Sequence, residues 1–264
     1  MTPQQISQTF RAARTAAQAL PEYPGLEIPP DLASAYAIQE DAIAAWPDAV
    51  SGWKVAAIQP AWRDRYAAER LAGPVFSKTV RDARNGAVSV PVIEGGYAAI
   101  EAEFAIRLCA AIPASKAISD PQQLLPYVEG IYAAIEIAAS PLAALSALGP
   151  GAVISDFGNN SGLVIGAKLP QTILTQPAES SVTVEINGAS VGQGNAARVP
   201  GGPLSALMFL VNHLASRGRT LDAGQWISTG ASTGIHPVRI GDAATARFND
   251  QFSIAVTMCA AAAA

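Results

Sequence analysis

The sequence predicts an α+β protein in which helices come first and an antiparallel or mixed β core follows. Residues 2–20 are rich in alanine and glutamine with apolar residues at helical spacing, and Asp31 can cap a second helix running to about Trp46. From residue 52 onward short apolar segments with two-residue alternation dominate. Only one long helix, 203–217, is inserted among them. This order differs from the regular strand–helix alternation that predicts a parallel sheet.

The later elements are delimited by glycine, proline and asparagine. Asn187-Gly188 lies between two apolar alternations and predicts a β-hairpin over 182–191. Pro203 suits the first turn of the long helix, and Gly218 suits its end. The other expected strands are 52–57, 88–92, 97–108, 130–137, 163–166, 226–229, 243–248 and 252–258, and further helical stretches are expected at 62–71 and 121–128.

Composition excludes several classes of protein. The chain of 264 residues is 50% hydrophobic and 14% charged, a balance that favours a sizeable core over disorder. A net charge of −4 without a lysine or arginine cluster argues against a nucleic-acid partner. No apolar stretch reaches the length of a bilayer span and no signal peptide is recognisable, so we expect a cytoplasmic protein without a membrane partner.

The segment 97–108 holds two glutamates at alternate positions. In a strand, Glu101 and Glu103 project from the same face, and burying either charge alone would be costly. Glu136 stands among apolar residues on another predicted strand. Three carboxylates of this kind suit Mg²⁺ or Mn²⁺, which prefer oxygen ligands. The spacing by itself also fits a solvated strand face, so this observation leaves both interpretations open.

Five stretches of sequence, taken in order, resemble a known family. They are GWKVA at 52–56, EAEFAIRL at 101–108, AAIEIAAS at 133–140, SDFGNNSGLVIG at 155–166 and DAGQWISTGASTG at 222–234. Together they resemble the 2-keto-4-pentenoate hydratase and 4-oxalocrotonate decarboxylase branch of the fumarylacetoacetate hydrolase superfamily, over roughly residues 30–257. The resemblance implies a mixed β-roll preceded by a helical segment. We expect a mainly helical segment, 1–75, and a metal-binding β-roll catalytic domain, 76–264, in one compact unit.

The resemblance also implies which residues form the site. The acidic metal ligands of the family correspond to Glu101, Glu103 and Glu136, which would hold Mg²⁺ or Mn²⁺. The lysine of the family's Gly-aromatic-Lys-Val strand corresponds to Lys54, expected to orient the substrate or transfer a proton. Its apolar neighbours would desolvate the ammonium and lower its pKa. The residues expected to bind substrate are Asp156, Asn160, Ser161, Thr229 and Gly230.

The implied function is metal-dependent enolate chemistry on a small 2-oxo acid. The first expectation is hydration of a 2-hydroxy-2,4-dienoate or its 2-keto-4-enoate tautomer, as in the catabolism of aromatic compounds. The alternative is decarboxylation of a 2-oxo diacid resembling 4-oxalocrotonate, and a catalytically silent scaffold or partner subunit is a third interpretation. Decarboxylation calls for a second cation in the pocket, for which Lys78 and Arg107 are candidates. Family members form dimers or larger rings, so we expect a homo-oligomer, with a pathway partner enzyme as a further option.

The chain departs from the family's pattern after the third glutamate. Hydratases of the family usually continue with Ile-Val-Asp-Ser-Arg, whereas Glu136 is followed by Ile-Ala-Ala-Ser-Pro, and Lys78 stands where hydratases tend to carry an aspartate. These differences spare the expected ligands but change their surroundings. His213 and His236 do not match the upstream histidine of the carbon–carbon hydrolases, so both are expected at surface or cap positions.

Overall fold

The computed structural model describes residues 1–263, and the last alanine of the tail, residue 264, lies outside the described residues. The helices are α1 (Pro3–Thr15), α2 (Leu32–Ala45), α3 (Pro60–Tyr66), α4 (Pro150–Ser155) and α5 (Gly202–Ala215). The strands are β1 (Val50–Ala57), β2 (Arg70–Phe76), β3 (Val80–Asp82), β4 (Val88–Val92), β5 (Tyr97–Leu108), β6 (Val128–Ser140), β7 (Asn160–Leu169), β8 (Val182–Ile186), β9 (Ala189–Gly194), β10 (Trp226–Ser228), β11 (His236–Pro237), β12 (Ala243–Phe248) and β13 (Phe252–Ala260).

The helix ends follow the capping chemistry of the sequence. Asp31 accepts a hydrogen bond from the Ser34 amide at 2.8 Å, which confirms the predicted cap of α2. A helix is expected over 62–71, but its predicted end is wrong. Ala67 adopts a left-handed φ of 48° and terminates α3. Arg70 then begins β2. Within residues 1–263, none of the helices combines the length and apolar character that crossing a bilayer requires.

Two mixed sheets form the body of the molecule. The larger has the order β2-β1-β10-β5-β6-β7-β3, with β11 added beside β5, and the smaller has the order β4-β13-β12-β8-β9. Three pairs are parallel (β1 with β10, β3 with β7, β4 with β13) and the remaining pairs are antiparallel. This pairing confirms the expected α+β architecture with a mixed β core.

The predicted hairpin is present between β8 and β9. Asn187 and Gly188 both have positive φ, 51° and 79°, as a tight two-residue turn requires. Asn249 and Asp250 make the corresponding turn between β12 and β13, with φ of 49° and 54°. Local sequence chemistry therefore accounts for the two hairpins of the smaller sheet.

Side chains from both sheets meet in one apolar core. Phe104 of β5 packs edge-on against Phe248 of β12, with ring centroids 5.4 Å apart. Helix α5 contributes Leu207, Leu210 and Leu214, all buried in the same core. Because β5 and β6 lie inside the larger sheet and are covered, polar side chains on them are withdrawn from water.

The N-terminal helices cover one end of the larger sheet. Helices α1 and α2 share a smaller apolar cluster in which Ile6, Phe10 and Ile38 pack against Leu142 and Leu145. Strands β1 and β2 nevertheless belong to the larger sheet through the β1–β10 pair. A division of the chain at residue 75 stays a prediction.

Candidate metal centre

Three buried glutamates converge at the middle of the larger sheet. Glu101 and Glu103 are alternate residues of β5, and the β5–β6 register sets Glu101 directly opposite Glu136. Their exposed fractions are 3%, 0% and 0%. One carboxylate oxygen from each lies within 4.8 Å of the other two. The solvated-face interpretation of this pattern is therefore wrong, and the three acidic groups occupy one buried cluster.

The carboxylate oxygens divide into those held by the protein and those left free. Glu103 Oε2 accepts hydrogen bonds from Ser228 Oγ at 2.5 Å and from the Gly230 amide at 2.8 Å. Glu136 Oε1 accepts one from Asn160 Nδ2 at 3.1 Å. Glu103 Oε1 and Glu136 Oε2 are buried without any hydrogen-bond partner. Oriented carboxylates that each keep a free oxygen are the donor set that fits a hard divalent cation.

The electrostatics of the cluster support the same conclusion. Burial, followed by the charge of Glu136, raises the pKa of Glu101 to about 7, although Lys54 opposes the shift. Burial and the charges of Glu136 and Glu101 raise the pKa of Glu103 well above its ordinary value. Without a cation the cluster thus binds protons at neutral pH, and a divalent ion would replace them.

Lys54 lies beside the cluster on β1. Its side chain is buried, and Nζ lies 3.2 Å from Glu136 Oε1. Burial by itself lowers the pKa of the ammonium, but the charges of Glu136, Glu101 and Glu103 outweigh burial and raise the pKa. The expectation of a lowered lysine pKa is wrong, because it considered the apolar sequence neighbours and not the carboxylates across the sheet.

A cavity of about 250 Å³ opens onto this cluster. Its lining includes the buried Lys54 and Glu101 and extends to the exposed side chains of Arg198 and Ile235. Most of the wall between them is apolar. The larger apolar residues of the wall include Val55, Ile58, Trp62, Leu71, Val153 and Val199. A small acid with a carbon chain fits such a pocket better than a large or strongly polar ligand.

Of the five residues expected to bind substrate, two line the cavity and three do not. Thr229 and Gly230 line the cavity, but the Thr229 hydroxyl donates to the Phe104 carbonyl at 2.6 Å and the Gly230 amide donates to Glu103. Asn160 lies behind Glu136 and supports it. Asp156 and Ser161 are not among the cavity-lining residues. A substrate-binding role for the five residues stays a prediction.

The second cation of the pocket is not one of the two expected residues. Lys78 is exposed and directs its ammonium toward the Pro47 carbonyl, whereas Arg107 pairs with Glu129 at 3.3 Å; neither lines the cavity. Arg70 and Arg198 line it instead. Neither arginine lies in a stretch that resembles the family, so the sequence carried no signal for them.

Neither histidine belongs to the cluster, as expected, but the environment of His236 differs from the expectation. His236 is buried and contacts the Thr233 hydroxyl at 3.0 Å, so the surface or cap position predicted for it is wrong. His213, on α5, is partly buried and stacks on Phe209 with ring centroids 5.4 Å apart. Neither residue lines the cavity.

Comparison with known proteins assigns the fold that carries this cluster. A sequence model described as fumarylacetoacetate (FAA) hydrolase C-terminal matches residues 52–262. The chain belongs to the fumarylacetoacetate hydrolase family. The matched region includes all three glutamates and Lys54, so the cluster lies within the family's domain and the resemblance seen in the sequence is confirmed.

Relatives of this fumarylacetoacetate hydrolase family member include two curated proteins. The 4-oxalocrotonate decarboxylases of Pseudomonas sp. (strain CF600) and Pseudomonas putida are each 32% identical over 102 residues. Each match covers 39% of this chain and 39% of the relative. The matched part thus spans well under half the length of these relatives.

Solved structures of other proteins have a similar fold. The 4-oxalocrotonate decarboxylase from Pseudomonas putida G7, complexed with magnesium and adipate, has a TM-score of 0.78 at 20% identity, with 97% of both chains covered. Its complex with calcium and acetate gives 0.79 at 22% identity, covering 97% of this chain and 96% of that one. Fumarylpyruvate hydrolase from Pseudomonas aeruginosa, in complex with Mn²⁺ and pyruvate, gives 0.59 at 12% identity, covering 83% and 94%. These likenesses confirm the fold predicted from the sequence.

Proposed function

We propose that this protein is a divalent-metal-dependent decarboxylase of a small 2-oxo diacid. The observation that supports it most strongly is a single cavity lined by Lys54, by Glu101 of the glutamate cluster and by two arginines, Arg70 and Arg198. The 4-oxalocrotonate decarboxylases among its relatives, one of which is complexed with magnesium and adipate, support the same reaction class.

The glutamate cluster defines the reacting end of the substrate. Glu101, Glu103 and Glu136 would hold Mg²⁺ or Mn²⁺, which when bound supplies stabilisation of negative charge on the 2-keto oxygen. Three carboxylates and one ammonium leave two negative charges, which a divalent cation neutralises. With the cation bound, the buried site has no net charge before the keto acid end of the substrate enters it.

Lys54 acts as a fixed positive charge in this proposal. The buried ammonium is paired with the Glu136 carboxylate, which favours its charged form over the neutral amine. It lines the cavity and can donate a hydrogen bond to a substrate oxygen while remaining within 3.2 Å of Glu136. Its expected contribution is to orient the substrate and to favour the enolate electrostatically.

The arginines define the other end of the substrate. Arg70 already donates to the carbonyls of Ser205, at 3.2 Å, and of Pro200. The guanidinium of Arg198 has no hydrogen-bond or ion-pair partner within residues 1–263. A second carboxylate on the substrate would therefore pair chiefly with Arg198, because a planar guanidinium can donate two parallel hydrogen bonds to a carboxylate. A substrate with one carboxylate would leave Arg198 without a partner.

Decarboxylation uses both ends of such a substrate. The carbon–carbon bond to the distal carboxylate breaks and carbon dioxide leaves. The bonding electron pair moves through the conjugated double bond to the 2-keto oxygen, giving an enolate, and a proton taken up from the solvent completes the product. The chain's own residues contribute by holding the breaking bond in a largely apolar cavity between two charged ends.

Hydration of a 2-hydroxy-2,4-dienoate, the first expectation from the sequence, passes through the same kind of enolate. It requires no distal cation and so does not account for Arg70 and Arg198. It stays a prediction, as does the silent scaffold, and one assay separates the three.

The test is a parallel assay with Mg²⁺ or Mn²⁺ on two substrates. Release of carbon dioxide from 4-oxalocrotonate that stops with EDTA and in Glu103→Gln is the expected result. Water addition to 2-hydroxypenta-2,4-dienoate without carbon dioxide release would replace the proposal with hydration. No turnover of either acid, together with no binding of Mn²⁺, would favour the silent scaffold.

A further inference from the structure

Arg14 connects the N-terminal helix α1 to the segment that precedes β7. Its Nε lies 2.6 Å from Asp156 Oδ1, and its Nη2 lies 2.9 Å from Oδ2. Nη2 also donates to the Ala139 carbonyl at 2.9 Å. The Asp156 side chain is fully buried and that of Arg14 is 9% exposed. A buried bidentate ion pair fixes both the position and the orientation of the two side chains.

The same pair reaches the strand that carries Glu136. Ser140, the last residue of β6, donates its hydroxyl proton to Asp156 Oδ2 at 2.6 Å. Ala139, which Arg14 contacts, is its neighbour on that strand. Arg14 and Asp156 therefore join three parts of the chain, namely α1, the end of β6 and the turn at 157–160.

The turn at 157–160 depends on such support. Phe157, Gly158 and Asn159 have φ values of 56°, 65° and 59°, so three consecutive residues are left-handed. That conformation is unfavourable for phenylalanine, although asparagine adopts it readily, so Phe157 keeps it only because its surroundings impose it. The Arg14 guanidinium also lies over the Phe157 ring, 5.4 Å from its centroid.

Three residues of this turn, Gly158, Asn159 and Asn160, lie against different parts of the metal centre. A Cβ at Gly158 would lie 3.0 Å from Gly73 Cα and 3.3 Å from Lys54 Cε, so a side chain here would crowd both the Gly73 backbone and the lysine. Asn159 lines the cavity, is 5% exposed, and has a buried Oδ1 without a hydrogen-bond partner. Asn160 donates to Glu136 Oε1. A shift of the turn would disturb the lysine, the cavity wall and one carboxylate together.

We propose that the Arg14–Asp156 pair is a positioning device for the metal centre. It holds the turn so that Asn160 orients Glu136 and so that the side-chain Nδ2 of Asn159, which makes no hydrogen bond within residues 1–263, can donate to a substrate oxygen. The inference rests on the proposed metal-dependent function and adds the N-terminal helix to it. Asp156 thereby has a positioning role in place of direct contact with the substrate.

The decisive variant removes both charges at once. Arg14→Met/Asp156→Leu leaves no unpaired buried charge, so the fold can be retained while the link between α1 and the turn is lost. Arg14→Lys is the conservative variant, because one ammonium cannot bridge both Asp156 oxygens and the Ala139 carbonyl. Arg11→Met is the matched control, since Arg11 bonds Ser7 within α1 at 3.3 Å.

The primary readout is the dissociation constant for Mn²⁺, measured by calorimetry on proteins whose folding is verified by near-ultraviolet circular dichroism. We expect Mn²⁺ binding to weaken about tenfold in the double variant, less in Arg14→Lys, and not in Arg11→Met. Binding as tight as that of the wild type in both Arg14 variants would overturn the inference. If the double variant does not fold, Arg14→Lys decides alone.

A second variant tests the cavity side of the proposal. Asn159→Ala is expected to raise KM for the 2-oxo diacid by about three- to tenfold while Mn²⁺ binding is unchanged, because one hydrogen bond to the substrate is lost. An unchanged KM would overturn the role of Asn159. A wild-type protein that binds no Mn²⁺ would instead overturn the metal-dependent function itself, so the two failures are distinguishable.

Discussion

Glu101 of β5 lies directly opposite Glu136 of β6, so two buried carboxylates form one cross-strand pair in the interior of a sheet. Like charges in this position repel each other, and Lys54 offsets only part of the repulsion. A folded protein carries such a pair at a cost to its own stability, as functional sites commonly do.

Removing one charge of this pair should stabilise the metal-free protein. We expect Glu101→Gln to raise the free energy of unfolding in EDTA at pH 8 by about 1 kcal/mol, because the cost of burying the Glu101 charge and its repulsion with Glu136 are both removed. In Mg²⁺ or Mn²⁺ at about 100 times the dissociation constant, the wild type should gain about 2.7 kcal/mol and the variant little. Urea unfolding with and without metal measures both effects. Glu94→Gln, exposed just before β5, is the control and should change neither.

Metal binding should depend on pH near neutrality. The pKa of Glu101 is raised to about 7 in the metal-free protein, so below pH 7 a cation must displace a proton. We expect the dissociation constant for Mn²⁺ to be about tenfold larger at pH 6 than at pH 8. Titration at these two pH values tests this, and equal affinities would contradict a raised carboxylate pKa.

The stability of the metal-free protein should change in the same pH range. A raised carboxylate pKa means that the folded state binds more protons than the unfolded state between pH 4.5 and 7. The contribution of Glu101 to stability therefore decreases as the pH rises through this window. Comparing wild type with Glu101→Gln in EDTA at pH 5 and pH 8 isolates it, because the variant lacks the titrating group.

The exposed arginine of the cavity should select for diacids. Arg198→Gln is expected to raise KM for a 2-oxo diacid about ten- to hundredfold, since a charge-assisted hydrogen bond to the distal carboxylate is lost. A 2-oxo acid with one carboxylate should be affected little. The control is Arg239→Gln, exposed and outside the cavity lining. An equal loss for both classes of acid would argue against distal-carboxylate binding.

His213 should make the protein sensitive to mild acid. Burial and the nearby charge of Arg217 lower its pKa from 6.5 to about 4. Its contribution to stability is therefore complete above pH 6.5 and is lost as the pH falls toward 4. Linkage predicts a loss of about 1 kcal/mol by pH 5.5. Urea unfolding of wild type and His213→Gln at pH 7.5 and 5.5 should show a smaller loss in the variant, and parallel losses would refute this.

The sequence by itself determined the features that depend on neighbouring residues. The cap at Asp31 and the turn at Asn187-Gly188 follow from the hydrogen bonds and backbone angles that these side chains favour. Two-residue alternation set Glu101 and Glu103 on one face of β5. The ordered motifs, the glutamates and Lys54 among them, are sufficient to identify the family, because a family is defined by residues and their order along the chain.

Tertiary structure alone decided which distant segments meet. The β5–β6 register set Glu101 opposite Glu136, and the folding of α1 over the sheet brought Arg14 to Asp156. The raised pKa of Lys54 depends on carboxylates of other strands. Spacing along a strand fixes the face from which a side chain projects, but the distance between residues remote in sequence is fixed only when the sheets pair and the core packs. Burial and charge, which determine the chemistry of this site, depend on that packing.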